Sequence, residues 1–202
     1  VLITTVAAAH MEAFASLEGI AAEKAAILDG LRAGGTAILP ADLTVSPILL
    51  AKAAEVGAKT LTFGATQADY QLTSVQIGET ETIVKATRHG VGFLYKVLSP
   101  GRHFAANGLA ALAVADALGL DAVIAATDLG RWQPPAGRGT REKILLDTLD
   151  ETSFDLIDDA VNANPASLAA ALDVLIAAKP QDGVGRVGRG RRIAVLGDML
   201  EL

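Results

Sequence analysis

Short apolar runs alternate with stretches of helical spacing through the first third of the chain, and this order constrains the fold more than any other feature. Three β-branched or apolar runs are expected to be buried strands: 1–6, 36–39 and 60–63. Two stretches between them have helical spacing: 16–31 and 46–57. Ser16 is expected to cap the first helix, and Ser46, followed by Pro47, the second. Because parallel strands need a crossover between them, the alternation predicts an α/β fold with a mostly parallel sheet flanked by helices.

The pattern changes between residues 70 and 98, where apolar and polar residues alternate in three runs around Gly78 and His89-Gly90. Such alternation is typical of antiparallel strands joined by tight turns. We therefore expect a small antiparallel β insertion packed beside the main sheet. Further along, the spacing predicts helices at 104–118, 121–129 and 165–178, the last capped by Asn164, and strands at 154–157 and 192–196.

Charge and composition limit the classes of partner. With a formal charge of -6, the chain has no general attraction for nucleic acid or for an anionic membrane, so we expect no nucleic-acid binding and no membrane insertion. The absence of cysteine excludes disulfides and thiolate chemistry and fits a cytoplasmic protein. The glycines and arginines of 183–190 predict a flexible solvated loop.

Polar residues stand directly after three of the expected strands. They are His10, the pair Asp158-Asp159, and Asp198 after Gly197. Ligands of open parallel sheets bind beyond the carboxyl ends of the strands, so these groups would share one edge if the three strands belong to one sheet. An imidazole and carboxylates there could hold a divalent cation with the phosphates or ribose of a nucleotide. The pattern predicts a nucleotide-like site.

Each of these residues also has an ordinary structural explanation. A single histidine in a loop is usually a surface or hydrogen-bonded residue. Adjacent aspartates after a strand often cap a turn, and Asp198 could be the N-cap of a helix that begins at Met199. The residues alone leave these alternatives open.

Four segments, in the order of a known protein family, carry a resemblance. Two of them are Ala9-His10-Met11-Glu12 with Lys24 on the helix that follows, and Pro100-Gly101-Arg102-His103 with Asn107. The two more specific ones are Asp158-Asp159-Ala160-Val161-Asn162-Ala163-Asn164-Pro165 and Leu196-Gly197-Asp198-Met199-Leu200-Glu201-Leu202. They resemble the segments Asp-Asp-Ala-Tyr-Asn-Ala-Asn-Pro and Leu-Gly-Asp-Met-x-Glu-Leu of the Mur ligases, in the branch that adds D-alanyl-D-alanine.

The resemblance implies the central ATP-binding domain of an ATP-dependent amide ligase of peptidoglycan synthesis. The implied substrates are UDP-N-acetylmuramoyl tripeptide and D-Ala-D-Ala, and the implied cofactors are ATP and Mg²⁺. The tripeptide carboxylate would be activated as an acyl phosphate and then attacked by the amine. The alternatives are a folylpolyglutamate- or cyanophycin-type amide ligase, which the last two segments fit less well, and a non-catalytic α/β binding module.

The resemblance also implies roles for single residues. His10 and Lys24 would be catalytic and would ligate magnesium, Lys24 after carbamylation, which turns a cation into an oxygen donor. A plain surface lysine is the alternative to this role for Lys24, as a solvated loop arginine is for Arg138. The implied nucleotide-binding residues are Asn107 at the adenine, Arg138 at the phosphates, Asp159 at the ribose, and Asn162 nearby.

The chain departs from the family pattern at four positions: Thr5, Ala7, Phe104 and Val161, where the family usually has Asn, Gly, Asn and Tyr. It also lacks the Gly-x-x-Gly-Lys-Thr/Ser loop that cradles a triphosphate, which lies upstream in the family. We therefore expect a fragment that is inactive alone. Residues 1–192 would be a partial central ATPase-like domain lacking the strand of that loop, and 193–202 the last strand and the start of a linker to a C-terminal domain. An exposed sheet edge could pair two copies into a homodimer.

Overall fold

Seven strands and five α-helices make up the computed structural model, which describes residues 1–8, 14–149, 152–183 and 188–199. The helices are α1 (Leu17–Ala25), α2 (Ser46–Glu55), α3 (Arg102–Ala117), α4 (Ala122–Leu129) and α5 (Pro165–Ala177), and a 3₁₀ turn, Ala26–Gly30, follows α1. The strands are β1 (Thr36–Pro40), β2 (Lys59–Gly64), β3 (Tyr70–Ile77), β4 (Thr82–Arg88), β5 (Val91–Val97), β6 (Thr140–Asp147) and β7 (Thr152–Asp158). Among these described helices, none is both long and apolar enough to cross a membrane.

Five of the strands form one mixed sheet in the order β1-β2-β3-β4-β5. β1 and β2 are parallel, β2 and β3 are parallel at two residue pairs, and the remaining two pairings are antiparallel. The antiparallel strands expected between 70 and 98 are present, but they continue the main sheet rather than pack beside it. Asp69 accounts for the junction, because its carboxylate accepts hydrogen bonds from the amide and the hydroxyl of Thr62, at 2.8 and 2.9 Å.

Strand β1 lies between two apolar layers because its side chains alternate in direction. Ala37 and Leu39 face α1 and α2. Ile38 faces the opposite layer, which contains Leu109 of α3 and Leu129 of α4. The helices therefore flank both faces of this end of the sheet, as the alternation of strands and helices predicts.

The N-terminal segment continues the sheet beyond β1. Leu2 forms a parallel bridge with Ile38, the Ile3 amide donates to the Ile38 carbonyl at 3.1 Å, and the Ile38 amide donates to the Val1 carbonyl at 2.8 Å. Val6 is buried against α1 and α2 without a strand partner in the described residues. The strand expected at 1–6 is thus paired only at its beginning.

The expected cap of α2 was wrong. Ser46 is the first helical residue, and the N-cap is Val45, which has no side-chain hydrogen bond. The Ser46 hydroxyl is buried, donates to the Pro40 carbonyl at 2.7 Å and accepts from the Leu43 amide at 3.1 Å. Because the buried carbonyl at the end of β1 needs a donor, the hydroxyl joins β1 to α2 instead of capping the helix.

The expected arrangement of the later strands was also wrong. β7 pairs antiparallel with β6, a strand that the sequence did not predict, in a separate two-stranded sheet. Residues 191–199 contain no strand, and Val195 is 93% exposed. The expected parallel arrangement of 1–6, 154–157 and 192–196 in one sheet is therefore absent from the described residues. Strand β7 pairs with β6 instead, because β6 is the segment that lies beside it. Arg141 of β6 connects this hairpin to the main sheet through Glu79, with a hydrogen bond of 2.9 Å.

The expected cap of α5 by Asn164 is confirmed, and it is one half of a capping box with Ser167 that leads to a stability prediction. The Asn164 side chain accepts from the Ser167 amide at 3.0 Å, and the Ser167 hydroxyl accepts from the Asn164 amide at 2.9 Å. Asn164→Ala is expected to lower the free energy of unfolding by about 1 kcal/mol, whereas Asn164→Asp keeps an acceptor and most of the stability. Urea denaturation measures the difference, and equal stability of the alanine variant and the unaltered protein would contradict the prediction.

Candidate functional site

A cavity of about 340 Å³ lies between the N-terminal segment, α1 and the start of α5. We call it the lysine cavity, and its lining residues are Thr5, Ala7, Phe14, Ile20, Glu23, Lys24 and Asn164. Ile20 anchors α1 in the core, so the helix presents Glu23 and Lys24 at the cavity from a fixed position. The residues that follow the first strand and those that follow β7 therefore do meet here, although the two strands lie in different sheets.

The lining of the lysine cavity is suited to a hard cation once the charge of Lys24 is removed. The side chains of Thr5, Glu23 and Asn164 carry oxygen atoms, which Mg²⁺ prefers. An unmodified Lys24 ammonium opposes a cation, whereas a carbamate on the same nitrogen would add an anionic oxygen donor. Glu23 was not among the residues predicted from the sequence, although its position directly before Lys24 was a signal.

The metal prediction for His10 falls outside the described residues. Within the described ranges, no group of three or more histidine, aspartate and glutamate side chains could hold a metal ion. The magnesium roles of His10 and Lys24 remain predictions.

A second group of side chains lies at the start of α3 and in the loops that follow β7 and precede β6, and we call it the histidine corner: His103, Asn107, Arg138 and Asp159. Asp159 follows β7 and Arg138 precedes β6, and the charge of Arg138 acts on the Asp159 carboxyl group. Asn107 lies one helical turn after His103 on the same side of α3, and it is exposed. Three of the four nucleotide-binding residues that the resemblance implies thus belong to one corner.

Burial sets the electrostatics of the histidine corner. It raises the pKa of Asp159, and the nearby His103 and Arg138 only partly offset this effect. It lowers the pKa of His103 from its ordinary value of 6.5, against the opposing charge of Asp159. His103 Nδ1 is buried and has no hydrogen-bond partner among the described residues. The corner therefore presents a carboxyl group, a neutral imidazole and a guanidinium to a polar ligand.

Two glycines hold the histidine corner together. Gly101 has φ +145°, and a Cβ there would lie 2.6 Å from the His103 ring. Gly137 has φ +74°, and a Cβ there would lie 2.4 Å from Val161 Cγ2. The loop of Gly137 is bonded to the end of β7, because the Val161 amide donates to the Gly137 carbonyl at 3.2 Å. This contact, which needs a residue without a side chain, places Arg138 beside Asp159.

The turn between β7 and α5 joins the corner to the lysine cavity. Asp158 has a structural role, because its side chain accepts from the Ala160 amide at 3.2 Å, whereas Asp159 points into the corner. Asn162 is exposed with φ +53°, and Asn164 both caps α5 and lines the lysine cavity. Five peptide units separate Asp159 from Asn164, so their Cα atoms lie within about 19 Å. The turn therefore connects the two groups of side chains, and we call the region made up of both groups and this turn the cleft.

An aromatic cluster replaces an amide beside the histidine corner. Phe104 packs against the His103 ring at 4.0 Å between centroids and against Trp132 at 5.6 Å. Trp132 is the only tryptophan of the chain and is 41% exposed. Phe104 is one of the departures from the family pattern. Trp132 could not be predicted from the sequence, because nothing local links it to α3.

Asp198 does not join this cleft in the described residues. It lies in 191–199, an exposed segment without helix or strand, so the expected position after a strand is wrong. A helix beginning at Met199 would extend into residues outside the description.

The shifted pKa of His103 leads to a prediction for the unmodified protein. Because the unfolded chain takes up the proton more readily, the contribution of His103 to stability is expected to be present above pH 6.5 and lost as the pH falls below it. NMR titration of the imidazole should give a pKa under 6.5. Asp159→Asn should lower it further, because it removes the anion that raises it. An unchanged His103 pKa in that variant would show that the two groups do not interact.

Two curated relatives match the chain over its whole length. The UDP-N-acetylmuramoyl-tripeptide--D-alanyl-D-alanine ligase of Escherichia coli is 34% identical over 208 aligned residues, and that of Bacillus subtilis is 32% identical over 202. The chain spans 41% and 39% of the length of these two relatives. Because the match covers only part of each relative, ligase activity is a proposal for this chain.

Solved structures share the fold. MurF from Acinetobacter baumannii has a TM-score of 0.79 at 24% identity, over 89% of this chain and 37% of that one. MurF ligase from Thermotoga maritima, solved in complex with ADP, has a TM-score of 0.69 at 23% identity, over 88% and 39% of the two chains. At these identities the likeness establishes the fold alone.

A family model supplies the assignment. The model described as Mur ligase middle domain matches residues 1–115, which is more than half of the 202 residues. The matched part includes β1 to β5, α1 and α2, and it contains both Lys24 and Asn107. The chain belongs to the Mur ligase family, through its middle domain.

Proposed function

We propose that this chain is the ATP-binding part of a ligase that joins D-alanyl-D-alanine to UDP-N-acetylmuramoyl tripeptide. The observation that carries the proposal is the turn from Asp159 to Asn164, which connects the histidine corner to the lysine cavity. One end of this cleft suits a nucleotide and the other suits a metal-bound carboxylate. The identity to two ligases named for this reaction, over the whole of this chain, supports the choice of substrates.

In the proposed complex the histidine corner binds the nucleotide. Asp159 accepts hydrogen bonds from the ribose hydroxyls, and Arg138 donates to phosphate oxygens, which its planar group can contact in pairs. Asn107 provides an amide for the edge of the adenine, one turn along α3 from His103. Asn162 lies on the turn beside them. Asp159 is partly buried, which strengthens its contact because water competes less for the carboxylate.

The lysine cavity would hold the reacting end. The proposed Mg²⁺ ligands are His10 and a carbamylated Lys24, with Glu23 as a further oxygen donor from α1. Bound magnesium neutralises the charge that gathers between the γ-phosphate and the substrate carboxylate. The chain's own contribution is positional, since α1 and the capped start of α5 hold the oxygen donors on two rigid helices.

The proposed reaction has two steps. ATP phosphorylates the terminal carboxylate of the tripeptide, giving an acyl phosphate and ADP. The amine of D-Ala-D-Ala then attacks the acyl carbon and expels phosphate, leaving an amide bond. This is a reaction of peptidoglycan synthesis, and we propose that it takes place in the cytoplasm, in agreement with the absence of cysteine.

Ligation by the complete polypeptide that contains this sequence tests the proposal. The assay supplies ATP, magnesium, UDP-N-acetylmuramoyl tripeptide and D-Ala-D-Ala and scores the pentapeptide product and released phosphate. Product formation is the expected result. Turnover with glutamate and none with D-Ala-D-Ala would move the protein to the folylpolyglutamate type, and no turnover with any amine would favour a binding module.

Two further parts of the proposal concern the chain by itself. The 202 residues contain no Gly-x-x-Gly-Lys-Thr/Ser loop, so we propose that they are inactive alone, and robust ligation by the isolated chain would refute this.

We also propose a homodimer through an exposed sheet edge, at the end where residues 1–3 lie against β1. Sedimentation equilibrium tests it, and a monomer over the accessible concentration range would contradict it.

A further inference from the structure

Strand β5 ends the five-stranded sheet on the side opposite β1, and its register can be derived from the turn before it. The turn consists of His89 and Gly90, both with positive φ, 45° and 84°, and it is flanked by the partners Arg88 and Val91. In a two-residue hairpin of this type, the flanking residues exchange both backbone hydrogen bonds.

This register determines the direction of the backbone groups on β5. The pairing with β4 continues to Val97 without a bulge, so bonded pairs recur at every second residue. Phe93, Tyr95 and Val97 bond to β4. The residues between them, Gly92, Leu94 and Lys96, therefore point their N–H and C=O groups away from β4. No strand in the described part of the chain lies on that side.

A cavity of about 780 Å³ runs along this edge, and we call it the β5 cavity. Its lining includes the three residues with outward backbone groups, Gly92, Leu94 and Lys96. Towards α3 and α4 the wall is apolar, formed by Tyr70, Phe93, Tyr95, Leu112, Val123 and Ala126. A cavity of this volume with a mostly apolar wall and a few polar groups is typical of a binding site.

The other side of the edge is cationic. Lys85 lies opposite Leu94 in the β4–β5 register, is exposed, and makes no ion pair within the described residues. Lys96 is also exposed and forms a salt bridge with Glu81 at 3.3 Å, so its charge is partly offset and Lys85 carries the unpaired one. The one carboxylate in the cavity lining, Asp116, is already engaged by Arg88 and by the Tyr70 hydroxyl. On a chain of net charge -6, this local positive charge favours an acidic partner.

We propose that the β5 edge binds an extended segment of a partner protein, in which apolar and acidic residues alternate, as a sixth strand of the sheet. Successive side chains of a strand point to opposite faces. The apolar ones would enter the β5 cavity, and the acidic ones would lie beside Lys85 and Lys96. Main-chain hydrogen bonds to Gly92, Leu94 and Lys96 provide affinity, as in other complexes formed by strand addition.

A second copy of the chain fits this edge less well. Antiparallel pairing of two β5 strands would bring Lys85 and Lys96 of both copies to the same face, where like charges repel. The homodimer proposed above uses the opposite end of the sheet.

Amide hydrogen exchange and peptide titration test the proposal on the full chain. The probe is Ac-Thr-Val-Glu-Val-Glu-Val-Thr-NH₂, and the comparison peptide has lysine in place of both glutamates. We expect fast exchange at the amides of Gly92, Leu94 and Lys96 in the free protein. The probe should bind saturably at submillimolar concentration and slow exchange at these three amides. The lysine peptide should bind more weakly.

Two pairs of variants separate strand addition from simple contact. Leu94→Pro removes an outward N–H while leaving the bonds to β4, which an edge strand tolerates, and should abolish binding. Leu94→Ala keeps the N–H and should retain it. Lys96→Glu should weaken binding by about fivefold, whereas Lys59→Glu, at the start of β2, should not. Thermal unfolding of each variant verifies that it folds.

Each possible outcome either supports the proposal or overturns it. Binding that Leu94→Pro abolishes, with protection of the three amides, supports the proposal. It is overturned if the probe does not saturate, if Leu94→Pro binds as the unaltered protein does, or if the protected amides lie elsewhere. Protection of the same three amides that rises with protein concentration and needs no peptide would make a second copy the occupant and would also overturn it.

Discussion

Asp159→Asn is expected to weaken nucleotide binding by roughly 10- to 100-fold. Under the proposed function the carboxylate accepts hydrogen bonds from the ribose, and a hydrogen bond to a charged group contributes about 1.5 to 3 kcal/mol. Asparagine has almost the same shape but a weaker acceptor and no charge. Calorimetric titration of ADP into the protein and the variant measures the loss.

The same substitution should not reduce stability. Because burial raises the pKa of Asp159, the folded protein holds the proton more readily than the unfolded chain does, and ionisation of this group as the pH rises costs stability. At neutral pH, Asp159→Asn removes that cost, so its thermal midpoint should equal or exceed that of the unaltered protein. Asp173→Asn, on the exposed side of α5, is the matched control and should leave binding unchanged. A destabilised Asp159→Asn variant would show that the carboxylate is structural.

Lys24→Ala is expected to reduce the ligation rate of the complete polypeptide by roughly 100- to 1,000-fold. The carbamate proposed on this lysine places a magnesium ion, and a metal ion contributes several kcal/mol to stabilising the transition state. Because Lys24 is exposed on α1, the substitution should leave the fold intact. Steady-state kinetics give the rate, and the thermal midpoint gives the stability.

A second variant separates carbamylation from simple charge. Lys24→Arg keeps a cation but cannot form the carbamate, so it should be as inactive as Lys24→Ala. Removal of bicarbonate should lower the activity of the unaltered protein, and its return should restore it. Lys59→Ala is the control for loss of a lysine at a distance from the lysine cavity. Full activity of Lys24→Arg would exclude carbamylation as a requirement.

The residues of the cleft were identified in two different ways. The pattern of residue types along the chain predicted only a nucleotide-like site after the strands, and it left a structural alternative for each candidate residue. The resemblance then implied roles for Lys24, Asn107, Arg138, Asp159 and Asn162. The structure brings Arg138 and Asp159 together and places Asn107 on the same side of α3, but the roles themselves still need the experiments above.

Patterns with a local cause were readable from the sequence. The cap of α5 depends on Asn164, directly before the helix, and the β4–β5 turn depends on His89-Gly90. The alternation of β1, α2 and β2 depends on periods of two and 3.6 residues, which short windows reveal. Each of these features is decided by neighbours in the chain, so no knowledge of the rest of the fold was needed.

Only the tertiary structure decided the features that depend on distant partners. Asp69 joins β3 to β2 and makes the meander part of the main sheet. β7 pairs with β6 because that strand lies beside it, and Ser46 turns inward because a buried carbonyl needs a donor. His103 meets Asp159 across a long stretch of sequence, and burial then shifts both pKa values. Pairing, burial and charge interactions depend on what lies nearby in space, which a local pattern does not encode.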